Sequence, residues 1–237
     1  GYSYQFLYSC NLILSADANT TFTLEGIEDI DSVKYSDDSK IITHIQLKYS
    51  TQRQDASFMD SVLKNYLEAY LIDKNRYFKL VYDFSVATGN LSKLFLGNLD
   101  KNSKEFWKTK INAIKKETLL WNWNDFDFED FIKRLSFENV KKDFLEKSIE
   151  DLLIKNFEIN TDSISLFANS IKLLCFDKME NRGEISYREI TQCIKNVKFD
   201  ISKGPQNPAH AWIQRLRFSK SCLLYTSDAA DEARSVD

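Results

Sequence analysis

Apolar residues run almost without interruption from Phe6 to Ala16, and the spacing across 1–18 predicts a helix buried on most of its faces. Residues 22–35 and 41–51 alternate in the manner of strands. The SDDSK segment between them is turn-rich, so the two are expected to form a β-hairpin. Phe58, Val62, Tyr66 and Tyr70 repeat at helical spacing over 55–73, and the mostly apolar run 77–88 (YFKLVYDFSVAT) predicts a central strand. Amphipathic helices are then expected at 103–116, 125–135, 138–155, 161–176 and 186–196, with Asn124, Thr161 and Ser186 as N-caps. Trp121 and Trp123, in LLWNWNDFDFEDF, are read as anchors between helices rather than as a base-stacking platform. Beyond Lys198 the pattern weakens into a stretch holding both prolines, the signature of a linker.

These elements predict an α/β fold: a mixed sheet flanked by helices in residues 1–100, followed by an all-helical second domain in 101–200. Residues 201–221 are expected to link to a further domain that is missing. Residues 222–237, beginning CLLYTSDAADE, look like one reading frame of a sequencing-library adapter and are set aside as an artefact.

Composition sharpens this only in places. With 43% hydrophobic and 28% charged residues in 237, the chain has the balance of a folded domain, and six Gly and two Pro favour helices over long loops. Cys10, Cys175, Cys193 and Cys222 form no CxxC or Cys/His cluster, which argues against zinc and for reduced thiols in the cytoplasm. No stretch reaches the roughly 18 apolar residues of a membrane helix, so no membrane partner is expected. The run Phe6 to Ala16 could serve as a secretory h-region, but no basic segment precedes it. Net charge is −3; residues 1–100 hold nine Lys/Arg against 13 Asp/Glu, the remainder 23 against 22. An acidic first half suits metal ligands, and any charge that holds nucleic acid must then come from elsewhere.

The hairpin carries the candidate chemistry. Glu25, Asp29 and Asp31 share one parity, as do His44, Gln46 and Lys48, while Ile45, Leu47 and Tyr49 take the other. Phosphodiester hydrolysis would use such a polar face. Asp29 and the Gln46 side chain would supply oxygen ligands to Mg²⁺ or Mn²⁺, and Lys48 would orient water or neutralise developing charge. Glu25 and Glu28 are spare acids for the metal, and Asp31 rivals Asp29. An acid 17 positions before a Q-x-K is, by itself, common by chance.

Three segments together resemble the PD-(D/E)xK restriction-endonuclease-like superfamily. The similarity is to the branch at the N-termini of bacterial antiviral effectors, of the STAND NTPase or CD-NTase-associated endonuclease type. The segments are Gly1, Tyr2, Tyr4 and Gln5; Glu25, Glu28 and Asp29; and Gln46, Leu47 and Lys48. The resemblance implies Asp29 and Gln46 as metal ligands, Lys48 as catalytic lysine, Gln5 as support from the first helix, and double-stranded DNA as substrate. It also implies an activating sensor or NTPase domain beyond KGPQNPAHAWI, and a homo-oligomer, because cutting both strands uses two sites.

Other motifs are set aside. Residues 178–189 mimic the end of an EF-hand loop through Gly183, Ile185 and Glu189. Lys178, Glu180 and Arg182 would stand at its first ligand positions, so a helix–turn–helix connection with Gly183 as C-cap is expected instead. His44 is read as a hydrogen-bonding bystander, and His210 has no visible partner. The rival readings are a non-catalytic protein-interaction module and an RNA-cleaving nuclease.

Overall fold

The computed structural model describes residues 2–25, 29–36, 39–87 and 101–202. Helix α1 (Tyr2–Leu14) is followed by β1 (Thr20–Leu24), β2 (Ile30–Ser36) and the 16-residue β3 (Ser39–Gln54). Then come α2 (Met59–Ile72), β4 (Arg76–Ala87), α3 (Lys101–Glu117), α4 (Phe128–Lys133), β5 (Leu135–Asn139), α5 (Lys142–Phe157), α6 (Ile164–Glu180), β6 (Glu184–Ser186) and α7 (Tyr187–Ser202).

The strands form one sheet in the order β5-β4-β3-β2-β1-β6. β6-β1, β1-β2 and β2-β3 are antiparallel, β3-β4 and β4-β5 parallel. Parallel neighbours need a crossover, and α2 supplies the one between β3 and β4. The sheet is therefore mixed and α/β, as expected.

Its two faces support two cores. Ile30, Ile45, Leu47 and Val81 meet α1, α5, α6 and α7 on one side; Phe78, Leu80 and Phe84 meet α2, α3 and the tryptophan loop on the other. α1 buries Tyr4, Phe6, Tyr8, Cys10, Ile13 and Leu14, more than one stripe can hold, because it is covered by the sheet below and by helices above. Trp107, Trp123, Tyr66, Tyr70 and Phe131 fill the opposite core, so the tryptophans pack as anchors.

Several expectations need correction. The single strand across 22–35 is two strands: β1 stops at Leu24, Glu25 takes a left-handed conformation (φ 56°), and its N–H donates to the Asp29 carbonyl at 3.0 Å. Parity counted through 25–29 therefore crosses a turn. The second half is not wholly helical, since β5 and β6 fall in it, one at each edge of the sheet. Elements from both sides of residue 100 share one sheet and both cores. Helices α5, α6 and α7, from beyond residue 100, pack on α1 together with β3.

Asn124 does not cap α4; Asp127 does, accepting from the Asp130 N–H. Ser186 caps α7 reciprocally with Glu189, whose carboxylate accepts from the Ser186 N–H at 2.9 Å. The EF-hand look-alike is a helix end. Gly183 N–H donates to Lys178 C=O at 2.7 Å and Arg182 N–H to Met179 C=O at 3.4 Å. Arg182 (φ 48°), not Gly183, takes the left-handed position of this Schellman turn. Lys178 Nζ donates to Glu189 at 2.7 Å, an ion pair where calcium ligands would stand. Cys10, Cys175 and Cys193 are free thiols, and Cys222 lies outside the described residues, as do Glu28, His210, and the linker and adapter readings beyond 202.

Ile149 is fully buried where α5 meets α1. Ile149→Ala should lower unfolding free energy by about 2–5 kcal/mol in urea titration. Because the core is shared, the wild type should show one transition by both far-UV and aromatic signals; two separable transitions would mean that the halves fold independently.

Candidate functional site

Asp29 lies one residue before β2, where the β2-β3 ladder ends at Ile30 and Ile45. That position faces its carboxylate toward the middle of β3. Asp29 Oδ2 accepts from the Leu47 N–H at 2.6 Å and from the Gln46 side-chain amide. Asp29 Oδ1 accepts from Gln5 Nε2 at 3.1 Å, and the same nitrogen donates to Glu25 Oε1 at 2.6 Å. Gln5 sits on α1, so a helix from the opposite layer ties the turn to the strand. The positive φ of Glu25 is uncommon for a residue with a side chain and costs on the order of 1 kcal/mol. It brings a second carboxylate to Gln5 and Asp29.

Lys48 follows on the same strand face as Gln46, half-buried, and among the described residues its side chain makes no hydrogen bond or ion pair. Its charge nevertheless acts on Asp29. Gln5, Glu25, Asp29, Gln46 and Lys48 are thus brought together, at one end of the β2-β3 pair.

Burial pushes the Asp29 carboxyl above the usual range, against the opposing effects of the Leu47 N–H, the Lys48 charge and Gln46. Glu25 is also raised, by burial first and then by the Asp29 charge, with Arg182 pulling the other way. Two acids that are costly to ionise beside each other form a place where positive charge is favoured. Among the described residues no three His, Cys, Asp or Glu side chains cluster as a metal site, so a cation here would rely on an amide oxygen and water as well as carboxylate.

Asp31 is not part of this group. Its Oδ1 lies 2.6 Å from His44 Nδ1, and His44 Nε2 lies 3.2 Å from the Arg76 guanidinium. Arginine only donates, so Nε2 accepts and Nδ1 carries the proton given to Asp31. His44 is therefore a bonded core residue stacked on Phe78, at 5.7 Å between ring centres. Arg76 and the Leu47 N–H carried no signal in the sequence, because both act only through the strand register.

No protein-family model matches the chain, and no curated protein matches it. Solved structures share its fold. The Cap4 SAVED/CARF-domain containing receptor of Acinetobacter baumannii, with the cyclic trinucleotide 2'3'3'-cAAA, superposes with a TM-score of 0.54 at 15% identity over 87% of this chain and 46% of that one. The same receptor with 3'3'3'-cAAA gives 0.55 at 15% identity, covering 87% and 49%. The Moraxella osloensis Cap4 receptor gives 0.51 at 13%, covering 83% and 47%. At these identities the likeness is one of fold, and the chain spans about half the length of the structures it matches.

The raised Glu25 pKa fixes a sign. A carboxyl whose folded value lies above its unfolded one contributes stability fully present below the unfolded value and lost as pH rises through the folded one. Glu25→Gln keeps an acceptor oxygen for Gln5 and removes the charge. In urea unfolding it should be more stable than wild type at neutral pH, with the gap closing as pH falls into the carboxylate range; a gap independent of pH would contradict this.

Proposed function

We propose that this chain is the effector part of a bacterial anti-phage defence protein: a restriction-endonuclease-like, Mg²⁺- or Mn²⁺-dependent endonuclease that cleaves double-stranded DNA. The reading rests chiefly on one observation, the half-buried Asp29 carboxylate bonded to the Gln46 amide within reach of the Lys48 charge. The fold shared with Cap4 receptors supports the defence context.

The donor set fits a hard divalent cation, which takes one or two carboxylates and keeps several waters. Such an ion supplies a Lewis acid for the scissile phosphate and a more acidic water. Asp29 would be the anionic ligand, its Oδ2 fixed by the Leu47 N–H. Gln46 Nε2 donates to Asp29, so Oε1 is the Gln46 atom that would coordinate. Gln5 holds Glu25 beside Asp29 through one amide, keeping a second acid in reserve; Glu28 is a further acid proposed for this role. Lys48, on the Gln46 face, orients the attacking water or neutralises charge developing on phosphate. Cleavage of both strands would pair two copies, and an activating sensor or NTPase would lie in the same polypeptide.

Supercoiled plasmid and Mg²⁺ test this, with the full-length natural protein and its activator. Lys48→Ala should cut roughly 100-fold or more slowly at equal folded concentration. Equal rates would move the chemistry elsewhere, and cleavage of RNA but not plasmid would change the substrate. Gln46→Glu should lower stability without metal, since a third acid joins Asp29 and Glu25, and should show a larger rise in melting temperature on adding Mg²⁺ than wild type.

A second reading comes from the cyclic trinucleotides bound by the Acinetobacter receptor. An open surface depression of about 280 Å³, bordered by Lys64, Lys116, Leu120 and Trp121, shares no residue with the Asp29 group. Calorimetric binding of 3'3'3'-cAAA by this chain, with no cleavage, would favour sensing.

A further inference from the structure

The β2-β3 ladder stops at Ile30 and Ile45, so Asp29 and Gln46 lie just past its last backbone pair. One pair inside that end, Asp31 faces His44. The two couples sit two residues apart along each chain, and the Asp31–His44 bond, at 2.6 Å, is the side-chain tie between β2 and β3 nearest the site. It continues beyond β3: His44 Nε2 accepts from Arg76 at the start of β4, and Arg76 Nε lies 3.6 Å from Asp73 Oδ2. Phe78 stacks on the imidazole, and the His44 side chain is 2% exposed, that of Asp31 13%.

Simple strand pairing does not call for such a chain. Apolar side chains at 31 and 44 would hold a sheet at least as well, because burying a carboxylate and an imidazole costs desolvation. What the polar chain adds is direction. A short bond across the strands, backed by a ring stack and a guanidinium, fixes the spacing and rotation of the residues at its end.

We infer that Asp31 and His44, backed by Arg76, are positioning residues for the proposed nuclease site, fixing where Asp29 and Gln46 stand relative to each other at the end of the β2-β3 pair. The inference rests on the nuclease reading. Asp31 acts through the acceptor oxygen it offers to His44, not as a ligand. This assigns Asp31, the rival of Asp29 in the sequence, a separate task.

The test is Mg²⁺ titration of plasmid cleavage by full-length protein, comparing wild type, Lys48→Ala, Asp31→Ala, Asp31→Asn and His44→Phe. Asp31→Ala removes the acceptor and should raise the Mg²⁺ concentration for half-maximal rate roughly tenfold. Asp31→Asn keeps Oδ1 as an acceptor for Nδ1–H and should restore most of the wild-type Mg²⁺ dependence. His44→Phe keeps the stack on Phe78, loses both polar bonds, and should shift like Asp31→Ala, which keeps the test open if that variant does not fold. A merely structural role would lower the amplitude of cleavage and leave half-saturation unchanged, overturning the inference. Asp31→Asn as impaired as Asp31→Ala would also overturn it, since the charge would then matter. Wild type without Lys48-dependent cleavage would sink the nuclease reading and the inference with it, whereas Lys48-dependent cleavage with unshifted Asp31 and His44 variants would sink the inference alone.

Discussion

A helix that is apolar nearly all the way round cannot lie on a surface, and α1 imposes that constraint on the whole fold. Tyr4, Phe6, Cys10, Ile13 and Leu14 need cover both from the sheet and from outside it. α5, α6 and α7 provide the outer cover, and several polar groups bond across it, although the Asn11 side-chain oxygen is buried without a partner among the described residues. Asn11 donates to the Leu145 carbonyl at 2.9 Å, Tyr4 to the Val140 carbonyl at 2.9 Å, and Asn156 to the Leu14 carbonyl at 3.0 Å. Gln5, one of the polar residues of α1, reaches past the sheet's end to Asp29 and Glu25. The candidate site is therefore held by the same packing that buries the helix.

Electrostatics at that site follow from its place. Asp29 is half-buried between a helix and a strand end, and its acidity is weakened by that burial more than the Leu47 N–H, the Lys48 charge and Gln46 restore it. Asp83 lies toward the β5 side on β4, where the donors win: Lys141 Nζ at 2.9 Å and the Lys142 N–H at 2.9 Å hold its carboxyl below the usual range. Two aspartates on one sheet thus differ in sign, and the site belongs to the one that is strained by its charge.

The sequence carried the parts of this that depend on local spacing. Helical periodicity located α1 to α6 to within about four residues at each end and the start of α7, whose end lies further on, and the strand pattern at 41–51 and 77–88 located most of β3 and β4. The spacing of Gln46 and Lys48 on one strand face needed only period-two geometry. What the sequence hid depends on distant partners. β5 and β6 are five and three residues long, edge strands whose state is set by pairing with β4 and β1 rather than by their own pattern. The turn at Glu25 looked like strand because its flanks alternate so regularly. The His44 bonds exist only once β2, β3 and β4 are in register.

The sheet's edge order has a consequence for how the chain acquires its structure. β1, near the start, has β6 as one neighbour, and α1 waits for cover that includes Ile190 and Ile194 of α7. Contacts this remote in sequence close late and slow folding. During synthesis α1 lacks its full outer cover until α7 has been made, and Phe6, Tyr8 and Cys10 stay open to solvent or to a holdase for that time. The arrangement of Gln5, Asp29 and Gln46 is then among the last to be secured, so a nascent or truncated chain carries the residues of the site without the packing that aligns them.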